Sequence, residues 1–149
     1  QTLRRQFCYA FHEREQASLH STPQLEFRRI GFDPVAVCGL QVRPFRVWHG
    51  DTPVLGFRIN DVAFVTDCKQ IPAESWPLLD GLDTLVIDAL WDEPHPTHMN
   101  VREALAVIEK VRPRRSYFTH VSHRLEYEAT NARLPDGVEL SYDGLRIDL

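Results

Sequence analysis

The stretch FTHVSH, Phe118 to His123, sets two histidines, His120 and His123, three residues apart in a chain that has seven. Imidazole nitrogens bind zinc and manganese, so the pair raises the question of where further ligands lie. Several other polar residues stand where short apolar runs end. His49 closes FRVWH and is followed by Gly50, which lets a ligand or backbone come close. Asp67 follows VAFVT, and Asp88 lies near the end of TLVIDAL. His98 sits just before a helical pattern, with His95 three residues earlier. Strand ends are where α/β proteins build their sites. A carboxylate there can ligate a divalent ion or bridge two.

Each of these residues also has a plainer reading. A histidine at a strand end is commonly a hydrogen-bonded, half-buried residue, and Asp67, ahead of Cys68 and Lys69, could cap a turn. Asp88 is harder to place that way, because a carboxylate inside an apolar run needs a partner. His95 and His123 read as supporting groups behind better candidates. His12 and His20 fall in a polar stretch and read as solvent-exposed.

The elements that must position these residues are short. QTLRRQFCYAF is helix-compatible, with Leu3, Phe7 and Ala10 spaced for one face, and residues 12–24 read as a loop. LEFRRI, QVRPFRVWH, LGFRI and VAFVT are strand-like, and Asn60-Asp61 turns a hairpin between the last two. SWPLLDGL is at best a short helix because of Pro77. DTLVIDAL is a continuous apolar run, as expected of a strand covered on both faces. NVREALAVIEKV predicts a helix with Val101, Ala104, Leu105 and Ile108 on one side and Asn100 as N-cap. RSYFTH returns as a strand, RLEYEATNARL as a helix, and VELSYDGLRIDL as a closing hairpin around Asp143-Gly144. The sum is a mixed α/β unit, with strands early and βαβ units late.

A chain of 149 residues is one domain in size, long enough to bury most of its apolar surface. A net charge of −4 offers no basic footprint, which argues against a general grip on nucleic acid. Three widely spaced cysteines make neither a CxxC pair nor a disulfide framework, and they suit a reducing cytoplasm. No apolar run is long enough to span a membrane.

Taken in order, WHG, VTDC, DAL followed by HPTH, FTHVSH and YDGL resemble the second half of a metallo-β-lactamase-fold hydrolase. The likeness is to the phosphodiesterase branch, which includes phosphoribosyl cyclic phosphodiesterases, and it runs over the whole chain. The resemblance implies the C-terminal half of a four-layer αββα fold. It implies that His49 binds one metal, that Asp67 bridges two, and that His120 binds the second. His98, 22 residues before His120, would assist the leaving group, with Asp88 orienting its ring. Two divalent ions, zinc or manganese, and a small phosphodiester substrate go with this reading, while a homodimer stays open. The family's HxHxDH loop, which supplies most ligands of the first metal, does not occur in these 149 residues. The expectation is therefore the C-terminal portion of a longer hydrolase, inactive alone. Hydrolysis of a thioester, ester or lactam on the same fold, or an inactive structural half, are the competing readings.

Overall fold

The computed structural model describes residues 2–11, 23 and 25–147. They fall into two compact units, Gln1–Ile30 and Gly31–Leu149. In the first, a short helix α1 (Thr2–Gln6) leads into a 3-10 turn over Cys8–Phe11. The Phe11 and Phe27 rings stack at 4.6 Å, with the Arg4 guanidinium over both. Of the face expected here, only Ala10 is buried; Leu3 and Phe7 are exposed. LEFRRI is not a strand: Leu25 N–H donates to Ala10 O, but among the described residues no strand pairs with residues 25–30. His12 and His20 lie outside the described residues.

The second unit is built on one sheet of seven strands: β1 (Val35–Val37), β2 (Leu40–His49), β3 (Thr52–Ile59), β4 (Val62–Val65), β5 (Thr84–Asp88), β6 (Arg115–Thr119) and β7 (Val138–Leu140). Their order across the sheet is their order in the chain. β1 to β4 are joined by hairpins and pair antiparallel; β4 to β7 pair parallel. The parallel connections carry a 3-10 helix over Ala73–Leu79, then α2 (Val101–Val111), then α3 (Tyr127–Asn131).

Sequence explains most of these choices. Every residue of β5 is buried, as its unbroken apolar run requires. Asn60 takes a left-handed φ of 53° at the β3–β4 turn, a conformation asparagine tolerates. Gly56 has no alternative, since a Cβ there would lie 2.6 Å from the Phe45 ring. Asn100 caps α2 in a reciprocal box: its Oδ1 accepts from Glu103 N–H, and Glu103 Oε2 accepts from Asn100 N–H. Val101, Ala104 and Val107 bury the inner face of α2 in a core with Phe45, Val65, Leu85, Ile87 and Phe118. Each of the larger side chains contributes about 1.5–3 kcal/mol by leaving water.

Three elements differ from expectation. β1 was not anticipated; it pairs with β2 through a turn at Cys38-Gly39, both at positive φ. The helix expected over residues 124–134 is confined to Tyr127–Asn131, where the Glu126 carboxylate accepts from the Glu128 and Ala129 amides. The closing hairpin is absent among the described residues. A turn forms at Asp143-Gly144, with Leu145 N–H on Tyr142 O, but residues 145–147 pair with no strand.

Candidate metal centre

β2, β4, β5 and β6 all run in one direction, because β2 is separated from β4 by a single antiparallel strand. Their C-terminal ends therefore share one edge of the sheet, and the chemically able residues sit there. His49 is the last residue of β2, Asp67 follows β4 by two positions, Asp88 ends β5, and His120 directly follows β6. The segment between β5 and α2 folds back over the same edge and delivers His95 and His98.

His98 lies in the middle. Its Nε2 is 3.1 Å from His49 Nε2, and its ring stacks on His120 with centroids 4.7 Å apart. On the other side, Nδ1 is 3.3 Å from Asp88 Oδ2, which also accepts from Cys68 N–H at 3.1 Å. Asp67 faces His120, Oδ1 to Nε2, at 3.6 Å. The Thr66 hydroxyl steadies Asp67 by donating to its Oδ2. The His95 ring stands 5.1 Å from that of His98, and Thr97 N–H donates to His95 Nδ1. His123 is exposed.

The backbone is held unusually at these points. Asp67 and His120 adopt left-handed φ of 54° and 56°. This costs a side chain on the order of 1–2 kcal/mol, although aspartate and histidine adopt it more readily than most residues. Strain of this kind persists where surrounding structure imposes it, and it concentrates at functional sites. Gly50, at φ 58°, lets the loop press close: a Cβ there would lie 3.0 Å from Thr97 Cγ2.

Burial shapes the protonation of the inner pair. Asp88 is fully buried, and desolvation pushes its pKa up to about 7 against the pull of the Cys68 amide. His98 is shifted down, first by desolvation and then by the neighbouring His120, His49 and His95. Geometry alone would make the pair a salt bridge. Both shifts favour neutral forms, so near neutral pH in the metal-free chain it is better described as a hydrogen bond. Cys68, buried beside Asp88, is pushed up to about 12 by that burial and stays a neutral thiol in the metal-free chain.

The donor set fits a divalent metal. One ligand atom each from His49, Asp67 and His98 lie within 4.8 Å of one another. Ligand bonds of about 2.0–2.2 Å place two donors on one ion at most about 4.4 Å apart, so small side-chain adjustments suffice. Mixed imidazole and carboxylate donors suit zinc and manganese. His98, expected outside the ligand set, is thus spatially among the possible ligands, while His120 joins the group through Asp67. Sequence reasoning missed Thr66 and Glu103; the N-x-x-E capping pattern at residues 100–103 was the available signal for the second.

The chain matches the family model described as a beta-lactamase superfamily domain over residues 1–121. A protein of Porphyromonas gingivalis (strain ATCC BAA-308 / W83) named octanoyltransferase is 34% identical over 127 residues, which are 83% of this chain and 26% of that protein. Among solved structures, a diphosphatase from the PhnP family is 39% identical with a TM-score of 0.82, covering 85% of this chain and 50% of that one. Zinc-bound PqqB from Methylobacterium extorquens (20% identical, TM-score 0.60) shares the fold over 87% of this chain and 55% of its own. Human tRNase Z, short form, does so at 22% identity and TM-score 0.59, over 73% of this chain and 42% of its own. The chain spans about a quarter of the curated relative and half of the diphosphatase. With its sheet, the order of its motifs and the family match in agreement, the chain belongs to the metallo-β-lactamase superfamily of hydrolases.

Proposed function

We propose that the chain carries part of the active site of a metal-dependent phosphodiesterase acting on a small phosphodiester. The observation behind this reading is the placing of His98, backed by a buried carboxylate and set between His49 and His120. His49, Asp67 and His120 are the residues assigned to hold two divalent ions, with Asp67 shared. When bound, such ions lower the pKa of water and neutralise phosphate oxygens. His98 is assigned to the leaving group. With Asp88 ionised, His98 Nδ1–H donates to its Oδ2, and Nε2 is the nitrogen left to carry and release a proton. The Asp67 charge, and that of Asp88 when ionised, favour the imidazolium that this role requires, opposing the burial that keeps the ring neutral. The similarity to a PhnP-family diphosphatase supports phosphoryl chemistry.

A second reading, hydrolysis of an acyl thioester, is favoured by the octanoyltransferase relative, although the matched part is only 26% of that protein. Purified full-length protein, reconstituted with manganese or zinc, separates the two on bis-p-nitrophenyl phosphate and an octanoyl thioester. Metal-dependent turnover of the diester at least about tenfold faster is expected, equivalent to about 1.4 kcal/mol in the barrier. Turnover of the thioester alone would reverse the choice.

A further inference from the structure

Lys69 is where three loops of the site meet. Its backbone N–H donates to Trp48 O at 2.6 Å, beside His49. Its own position is two residues after Asp67. Its Nζ donates to both oxygens of Glu103, at 2.8 and 2.9 Å. Glu103 Oε2 in turn accepts from Asn100 N–H at 3.0 Å, and Asn100 is buried two residues beyond His98. A further strut, Met99 N–H to Cys68 O at 2.9 Å, ties the same two loops.

An exposed lysine would leave its ammonium in water. Here the Lys69 and Glu103 side chains are only 26% and 34% exposed, and Glu103 is already fixed by the cap of α2. A charge-assisted, two-oxygen contact to a fixed carboxylate is the kind that holds geometry. The loop bearing His98 has no strand pairing of its own (residues 91–100 contain no helix or strand), so its placement depends on such struts.

We infer that Lys69 is a positioning residue, which through Glu103 and Asn100 holds the His98 loop against the segments carrying His49 and Asp67. Its ammonium hydrogen-bonds Glu103 and acts on the site imidazoles by fixing their separation, including the 3.1 Å approach of His98 to His49. Only the activity arm of the test rests on the phosphodiesterase reading; the structural arm stands without it.

In the full-length protein, Lys69→Met keeps the aliphatic stem and removes the ammonium, while Glu103→Gln keeps an acceptor for Asn100 N–H and removes the charge. Amide hydrogen exchange is the first readout. In both variants the amides of Lys69, Met99 and Asn100 should lose about tenfold or more in protection, in line with a charge-assisted hydrogen bond. Those of Leu85, Val86 and Ile87 in β5 should not change, and Lys69→Arg should restore protection toward wild type. The second readout is turnover of bis-p-nitrophenyl phosphate with metal saturating. kcat should fall on the order of 10²-fold with KM within about threefold, the signature of misplaced groups and not of weakened binding. Unchanged exchange at the three amides in Lys69→Met overturns the inference, whatever the activity. Lost protection with unchanged kcat overturns it too, by showing that the strut does not position the site. A wild-type protein with no diesterase activity refutes the proposed function, and the exchange result then decides on Lys69 alone.

Discussion

Asp88→Asn tests the inner half of the site without touching a ligand. Asp88 has no exposed surface; its Oδ2 serves Cys68 N–H and faces His98, and its Oδ1 has no hydrogen-bond partner among the described residues. Desolvation raises its pKa from 3.8 to about 7. The folded state then binds a proton that the unfolded state has released, so stability is full below about 3.8 and falls as pH rises toward 7. At about 1.36 kcal/mol per pH unit the loss is on the order of 4 kcal/mol, an upper bound for the metal-free protein. His98 works in the other direction. Its pKa is depressed, so its penalty is present at low pH and disappears as pH rises past the unfolded value. The difference between the wild-type and Asp88→Asn curves therefore cancels the part of the His98 titration that does not depend on Asp88, and leaves the carboxyl together with its coupling to that ring. Urea unfolding of the metal-free proteins at intervals from pH 4 to 8 supplies it. The advantage of Asn over Asp should grow steadily with pH, by about 2–4 kcal/mol over the range. Curves parallel to within about 0.5 kcal/mol would refute the account of Asp88 as a carboxyl whose charge is suppressed by burial.

His98→Ala, in the full-length protein, should retain its metal by elemental analysis while kcat falls about 10²- to 10⁴-fold, and less for a p-nitrophenolate leaving group. Loss of an ion would make His98 a ligand, as its place beside His49 and Asp67 allows. Asp67→Ala should release at least one ion and abolish turnover, whereas Asp67→Asn should weaken binding and still fold; a residue that only caps a turn would cost roughly 1 kcal/mol and leave metal content alone. Gly50→Ala places a side chain at φ 58° against Thr97, and should lower stability by about 1–2 kcal/mol in urea unfolding while reducing kcat through the His98 loop.

How far the sequence foretold this depended on which interactions were local. The buried β5, the Asn100 cap of α2 and the Asn60 turn are each written within a few residues, and each was read correctly. β1 is three residues long and mostly exposed, and its turn begins with a cysteine at φ 50°, a residue that gives no turn signal. The opposite error came at 25–30 and 145–147, where strand-like composition met no partner edge; a strand exists only as a pair. At the site, the strand-end positions of His49, Asp67 and His120 were legible because they follow from where apolar runs stop. The insertion of His98 between them was not, since a loop without periodicity says nothing about where it returns.

The left-handed φ of His120 and Asp67 was equally illegible, and it bears on how the site is made. The apolar runs of β4 and β6 stop one or two residues before these positions, where the chain leaves the sheet. A glycine there would have removed the strain, on the order of 1–2 kcal/mol per residue for a side chain in this conformation, along with the side chain itself. The strain is therefore tolerated only because the strands behind it are fixed. β5 is buried throughout, and Ser116, Tyr117 and Phe118 of β6 are buried beside it. Such packing outweighs a strained residue at each strand end, because each large buried side chain contributes about 1.5–3 kcal/mol. The rigid core thus holds two donor groups at one edge of the sheet in a backbone conformation that is uncommon for a residue with a side chain. The third donor, His49, needs no such conformation, since it completes a paired strand and the turn falls on Gly50.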